Sequence, residues 1–271
     1  MIAIIDLQGG LGNQLFQYCF AKYLESQNFK IFIYIGKGYS NKINSVSYNE
    51  QREVIFDPTL FGFKQLSSVA YFILEVFKKF KLFNKYLYEI VNEETYKSKS
   101  NFRFVTSFNG FWQNSYFLNE NVDFFKKRIE SLILDKSLKK SSVLVQVRRG
   151  DFIKSDSQLN QEFYENSFNI LKKNYLNFNF DVVTDDVNWV KQNNLLSKAN
   201  LIYPPSDEKE KVKKLFFSML DYDNYIIGNS TFSFWAALLS HNENSRKIID
   251  KKFFERIELN KNPRFTNWIK V

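Results

Sequence analysis

The sequence predicts an α/β protein with mainly parallel sheets, organised as two domains over residues 1–140 and 141–271. Three observations predict it. Short β-prone runs alternate with helical patterns throughout the second half of the chain. The chain opens on a strand, a glycine turn and a helix, which is how a βαβ unit begins. Its 271 residues suffice for two domains of about 120–140 residues, each with its own core.

The elements follow in order. Ile2–Leu7 is a short apolar run that ends at Gly9-Gly10-Leu11-Gly12, and Leu11–Glu25 reads as a largely buried helix. Ile31–Ile35 supplies the second strand. From Lys64 to Leu87, Leu66, Val69, Ile73, Val76, Phe77, Phe80, Phe83 and Leu87 recur at helical spacing, interleaved with Lys78, Lys79, Lys81 and Lys85. Two readings stand there: a core-facing helix with a solvated basic face, or an interfacial helix resting on anionic lipid. Phe108–Gln113 is a loop or strand end, Val122–Leu134 a helix, and the charged segment from Asp135 to Lys140 the domain boundary. The second half then reads as strand Val143–Arg148, helix Gln161–Asn174, strand Phe180–Thr184 and helix Val187–Asn193. Strand Leu201–Tyr203, helix Asp207–Met219, strand Tyr225–Gly228, helix Phe232–His241 and strand Lys247–Asp250 complete it.

Composition narrows the function. The formal net charge of +9 admits nucleic acid, an anionic membrane surface or a phosphorylated small molecule as partner. The lysines are scattered, and neither zinc-finger spacing nor an RNP-like aromatic signature is present, which argues against nucleic acid. A lone Cys19 in an apolar segment reads as a core residue and leaves no disulfide framework or Cys-based zinc site. A lone His241 makes a Ser-His-Asp triad or a His-rich metal site a poor reading. The N-terminus reads as a strand rather than a signal peptide, and the longest apolar stretch, Gln65 to Leu74, is too short to span a bilayer. A cytoplasmic protein is expected, with a peripheral contact to the inner membrane face where the basic segment permits it.

Four polar or glycine-rich clusters sit at the carboxyl ends of expected strands, where parallel sheets bind ligands: Gln8–Gln14, Arg148–Asp151, Thr184–Asp186 and Asn229–Ser233. Gly9 to Gln14 lacks the Lys of a phosphate-binding P-loop and the third glycine of a dinucleotide loop. It reads as a polar ligand loop including Asn13 and Gln14, or as a structural turn. Arg148 and Arg149 suit bidentate phosphate binding, with Gly150 allowing the turn, or form a salt-bridged turn. Asp151 either holds an arginine or acts as a base. Asp185 and Asp186 either accept hydrogen bonds from a base or ribose or cap the helix that follows. Ser230, Thr231 and Ser233 are equally suited to capping and to donating to phosphate. Asp221-Tyr222-Asp223 has the spacing of a metal-binding D-x-D but precedes a strand, and reads as a solvated turn.

Taken together the set resembles glycosyltransferase family 11, the α-1,2-fucosyltransferases. The resemblance rests on GGLGNQLFQ from Gly9, G-F-W-Q at Gly110–Gln113, R-R-G-D at Arg148–Asp151 followed by Phe152, T-D-D at Thr184–Asp186 with Trp189-Val190-Lys191, and N-S-T-F-S-F-W-A from Asn229 to Ala236. It implies a GT-B-like fold of two Rossmann-type domains facing across a cleft. It also implies inverting transfer of L-fucose from GDP-β-L-fucose to the 2-hydroxyl of a galactoside or a lipid-linked oligosaccharide, with no cofactor and no metal. On this resemblance Arg148 stabilises the leaving diphosphate and Asp151 is the candidate base. Gln146, Arg149, Asp185, Asp186, Asn229, Ser230, Thr231 and Ser233 bind the donor. Gly10, Gly12, Asn13, Gln14, Trp112 and Gln113 line the acceptor side. Gln146 and Asn224 stand where the family usually has His, and neither can titrate. The alternatives are another sugar nucleotide on the same scaffold, or an inactive carbohydrate- or membrane-binding relative. A dinucleotide-dependent oxidoreductase is disfavoured, because Gly36 and Lys37, not an acid, follow Ile35.

Overall fold

The computed structural model describes residues 1–35, 53–79, 87–97, 99, 101–118, 121–133, 142–173, 178–204, 206 and 208–271. The chain divides into two compact units, Met1–Glu130 and Ser131–Val271. The segment Asp135–Lys140 lies outside the described residues.

The first unit holds β1 (Ile2–Asp6), β2 (Lys30–Tyr34), β3 (Lys64–Leu66), β4 (Tyr88–Asn92) and β5 (Val105–Asn109), all parallel, in the order β3-β2-β1-β5-β4. Its described helices are α1 (Leu11–Ser26), α2 (Ser68–Lys79), α3 (Glu93–Lys97) and α4 (Val122–Glu130). Ala3, Ile4 and Ile5 of the central strand are buried, as a strand covered on both faces requires. Much of the chain's aromatic content goes into this core. Phe20 of α1 stacks on Trp112 with centroids 3.8 Å apart and meets Tyr96, Phe108 and Phe117 edge-on. Such pairs add about 0.5–1.5 kcal/mol each beyond area burial. Cys19 is buried among them, and burial pushes its thiol well up from the usual range.

The helix expected across Lys64–Leu87 is shorter, because Lys64–Leu66 pairs with β2 as an edge strand. Its orientation also departs from the core-facing reading. Val69, Phe72 and Ile73 are exposed, while Tyr71 stacks on Tyr34 of β2 at 3.5 Å. The apolar stripe therefore faces outward. Lys81 and Lys85, and the side chains of Lys78 and Lys79, lie outside the described residues. No described helix is long and apolar enough to cross a membrane.

The second unit holds β6 (Ser142–Val147), β7 (Asn179–Thr184), β8 (Ile202–Tyr203), β9 (Asn224–Ile226), β10 (Arg246–Ile249) and β11 (Ile269–Lys270). These too are parallel, in the order β11-β10-β9-β6-β7-β8. Its helices are α5 (Gly150–Lys154), α6 (Gln161–Lys172), α7 (Val187–Gln192), α8 (Lys209–Ser218), α9 (Thr231–Leu238) and α10 (Lys251–Arg256). Val143, Val145, Val147, Val182, Ile226 and Ile248 pack with Phe163, Tyr164, Phe168 and Leu171 of α6 into one core.

Strand order locates the ligand-binding ends. In the second unit the chain runs outward from β6 through β7 to β8, returns to β9 beside β6, and runs outward the other way. The reversal leaves a crevice beyond the carboxyl ends of β6 and β9, the usual ligand position of such sheets. In the first unit the matching position lies between β1 and β5. Two Rossmann-type parallel units in one chain are the GT-B-like α/β architecture expected.

The second unit also carries three buried tyrosines. Tyr222 donates to the buried carboxylate of Asp181 at 2.7 Å, and Tyr225 donates to the carbonyl of Met219 at 2.9 Å. Burial raises the hydroxyl pKa values of Tyr164, Tyr222 and Tyr225 above the ordinary 10.0, and for Tyr222 the bond to Asp181 adds to the rise. A raised folded-state pKa contributes stability that is complete below the unfolded value and is lost above it. Urea unfolding midpoints should therefore hold up to about pH 10 and fall beyond it. Tyr222→Phe should lower stability at neutral pH by about 1–3 kcal/mol, because Asp181 loses a donor inside the core. Urea titrations of both proteins across the alkaline range check this.

Candidate active site

The carboxyl end of β6 runs directly into Arg148 and Arg149, and α5 starts one residue later. Arg148 Nη2 lies 2.7 Å from Asp151 Oδ1, and Nη1 lies 2.8 Å from Asp185 Oδ2. The other Asp185 oxygen accepts from the Arg149 backbone N–H at 2.7 Å. Asp185 stands just past β7, so one carboxylate ties the ends of neighbouring strands together and fixes the first guanidinium. Both its oxygens are engaged within the protein. In the structure Asp185, expected to recognise a base or ribose, holds Arg148 and the Arg149 backbone. Two carboxylates leave part of a five-donor guanidinium uncommitted, and the Arg148 side chain is 25% exposed.

Arg149 takes a different course. Its guanidinium lies over the Trp189 ring at 4.3 Å, and Nε sits 3.2 Å from Asp186 Oδ2. Asp186 also caps α7, its Oδ1 accepting from Trp189 N at 3.0 Å. Of the two readings of this aspartate, the cap is what the structure displays. Arg149, Asp186 and Trp189, the first two expected to contact the donor, form a clamp beside Arg148. Gly150 has a helical backbone, so the expected need for a special turn does not explain it. Space does: a Cβ there would come within 2.9 Å of Asp185 Oδ2.

Beyond β9, Ser230 is the N-cap residue of α9 but makes no side-chain cap bond. By contrast α6, α7 and α10 are capped by Asn160, Asp186 and Asp250. The N-terminus of α9 thus receives no side-chain cap from Ser230 at the β6/β9 reversal, a position that suits an anion. Ser233, expected among the donor-binding residues, lies in the interior. It is fully buried, and its hydroxyl donates to the carbonyls of Ile227 at 3.0 Å and Ser230 at 3.2 Å. Asn229 Nδ2 donates to the Ser157 carbonyl at 2.6 Å, fastening this loop to the one after α5.

Gln146, one turn of the pleat before Arg148, is 5% exposed, and its Oε1 has no hydrogen-bond partner among the described residues. Asn224 belongs to the opposite end of the sheet. It pairs in register with Val143, five residues and roughly 16 Å of strand from Arg148, and its Oδ1 accepts from Arg246 N at 3.3 Å. Only the first of the two His replacements therefore touches the candidate site. The Asp221-Tyr222-Asp223 run also lies at the amino end of β9. It is structural rather than a solvated turn: Asp221 bonds His241 Nδ1 at 2.6 Å, Asp223 accepts from Asn242 at 3.1 Å, and Tyr222 is buried.

In the first unit the glycine loop leads from β1 into α1, whose N-cap Gly10 also offers no side-chain bond. Gln14 and Gln17 hold this loop from the helix. Gln17 accepts from Gln8 N and donates to Gln8 O, both at 2.7 Å. Gln14 donates to Gly9 O and Glu53 O at 3.0 Å and accepts from Ile55 N at 3.1 Å. Gln14 and Gly12, both expected on the acceptor side, are buried. Gly9 has φ +73°, and a Cβ there would collide with Asn13 Nδ2 at 2.5 Å. Asn13 Oδ1 accepts from Gln113 Nε2 at 2.8 Å, joining the motif at α1 to the segment after β5.

Trp112 departs furthest from expectation. It is 2% exposed, has φ 55° and stacks inside the core on Phe20. Phe111, absent from the expected set, is the outward residue at 40% exposure. The sequence carried a signal: adjacent aromatics at a strand end point to opposite sides. Glu93, also missed, accepts from Phe111 N at 2.7 Å and Trp112 N at 3.0 Å. Gly110 must be glycine, with φ +151° and a Cβ that would meet Glu93 Oε1 at 2.7 Å.

Gly150→Ala tests the positioning of Arg148. Helix propensity alone would favour Ala by about 1 kcal/mol. The clash with Asp185 opposes this by about 1–3 kcal/mol and displaces the carboxylate from both arginines. The expected result is a lower melting temperature and a lengthened Arg148–Asp185 pair in a crystal structure of the variant.

The model of the family described as glycosyl transferase family 11 matches residues 1–271. The chain is also similar to an alpha-1,2-colitosyltransferase of Escherichia coli, with 26% identity over 292 residues covering 100% of this chain and 99% of that protein. A match over both Rossmann-type units, with the arginine pair held at a strand reversal, identifies this chain as a member of glycosyltransferase family 11 and a glycosyltransferase.

Proposed function

We propose that the chain transfers L-fucose from GDP-β-L-fucose to the 2-hydroxyl of a galactoside, inverting the anomeric centre without a metal or other cofactor. The observation that carries this reading is the Arg148 guanidinium, held by Asp151 and Asp185 at the β6/β9 reversal beside the uncapped N-terminus of α9. The acceptor oxygen attacks the anomeric carbon, the bond from that carbon to the β-phosphate oxygen breaks, and GDP leaves. The acceptor proton passes to a base, for which Asp151 is the candidate, or to water. The transition state is oxocarbenium-like and builds negative charge on the diphosphate. Fixed donors aimed at that charge stabilise it at little reorganisation cost, a role suited to Arg148, Ser230, Thr231 and the α9 N–H groups. Gln146 cannot titrate and serves as a hydrogen-bonding wall of the same site.

A second reading is favoured by the name of the E. coli relative: the sugar is colitose in place of fucose. Mass spectrometry of products from GDP-fucose and a GDP-colitose donor, against galactose-terminated acceptors with and without chelator, separates the two. Arg148→Ala should reduce turnover by about 10²–10³-fold at saturating donor. Full turnover in that variant, or no GDP binding by calorimetry with or without Mg²⁺, sinks the assignment. A panel giving GDP binding without transfer would instead support a non-catalytic carbohydrate-binding relative.

The acceptor on this reading is a lipid-linked oligosaccharide, in the synthesis of a surface polysaccharide at the inner membrane face. The outward stripe of Val69, Phe72 and Ile73 on α2 supports a peripheral contact. The segment from Lys64 to Leu87 carries five lysines and a single acid, Glu75, which suits an anionic bilayer. Cosedimentation with phosphatidylserine vesicles should occur at low salt, weaken as salt rises, and be lost on Phe72→Asp with Ile73→Asp. Failure of the unaltered protein to sediment at low salt overturns the membrane contact.

A further inference from the structure

We propose that Phe111 is the stacking platform for a pyranose ring of the acceptor glycan, with the Asn13–Gln113 amide pair as its polar flank. The inference rests on the reading above that a sugar is the acceptor. A lone exposed phenylalanine is ordinary, and this chain has others, Phe72 and Phe104 among them. Phe111 differs in what holds it outside. The next residue, Trp112, adopts a left-handed backbone conformation at φ 55°, which costs a bulky residue on the order of 1–3 kcal/mol. Glu93 grips the N–H groups of both residues, and Gly110 leaves room for its carboxylate. Trp112 is thereby turned into the core while Phe111 remains outside. The strain is stored in a turn that serves to present one ring.

The place and the neighbours point to a sugar. The turn lies beyond the carboxyl end of β5, beside β1, at the strand reversal of the first unit. The ring edge lies against Gly9, where a Cβ would stand 3.0 Å from Phe111 Cε1, and Asn13 packs on the same glycine. Gln113 Nε2 donates to Asn13 Oδ1, while Gln113 Oε1 has no donor among the described residues. A pyranose has an apolar C–H face and a rim of hydroxyls. An exposed aromatic ring bordered by amides that donate and accept matches both features. Phenylalanine has no hydroxyl of its own, so the ring contributes contact area and the amides contribute direction.

The test uses lactose as the probe, in two measurements. In transfer assays, Phe111→Ala should raise the KM for lactose about tenfold, whereas Phe111→Tyr, which keeps the ring, should restore it. The GDP affinity of both variants should equal that of the unaltered protein. In saturation-transfer NMR, lactose C–H protons should receive magnetisation from the unaltered protein and lose it in Phe111→Ala. Unchanged KM and unchanged transfer in Phe111→Ala overturn the platform while leaving the proposed reaction standing. Lactose contact that depends on Phe111, without sugar transfer from any GDP-sugar, upholds the platform and overturns the reaction. Absence of both transfer and lactose contact in the unaltered protein removes both.

Discussion

The Asp185 carboxylate is the constraint on which the rest of the second unit's site depends. It receives the Arg149 backbone N–H on one oxygen and the Arg148 guanidinium on the other. It therefore sets where β6 ends, how α5 begins and where the first arginine points. Its neighbour Asp186 performs the matching task for α7 and Arg149. Two adjacent arginines at a strand end would repel each other and sample many rotamers. Two adjacent aspartates just past the next strand give the two arginines separate partners. Each guanidinium is thereby held by carboxylates from within the same unit.

The first unit braces its loops with side-chain amides and one carboxylate. Gln14 and Gln17 use side-chain amides to satisfy the backbone of Gln8, Gly9, Glu53 and Ile55. Glu93 does this for the turn after β5. A loop leaving a parallel strand loses its ladder partners, and buried backbone groups must find others. Here they find them in side chains of α1 and α3. Each loop is thus braced by contacts local to its own unit, while Phe111 stays 40% exposed.

The sequence made the alternating pattern and the four strand-end clusters legible, because apolar strands and polar loop residues leave direct marks on residue order. The edge elements were not legible. Lys64–Leu66 and Ile269–Lys270 are too short for a period to appear. The stripe on α2 was visible as a helix, but nothing in its spacing said whether the apolar side faced in or out. At the site, residue types were legible in the sequence, and the partners those residues have within the protein were not. Ser233, Gln14, Arg149 and Asp186 have the chemistry of ligand-binding groups, yet each is spent on a backbone or side-chain partner. That outcome depends on burial and on partners distant in sequence, such as Asp185 for Arg149 N and Glu53 for Gln14. Trp112 was misplaced for a related reason: only a glycine before it and a carboxylate from α3 make its unusual backbone tolerable.

The amide clamp of Gln17 on Gln8 has a consequence for how proteins of this kind are compared. The glycine-rich opening that makes such a chain recognisable is written largely in residues that brace the loop, and bracing is indifferent to which sugar is carried. A signature of that sort groups chains by how they fold. Whatever sorts them by substrate must be sought in the positions the signature leaves outside the brace, on the few side chains that the braced loops hold out to solvent.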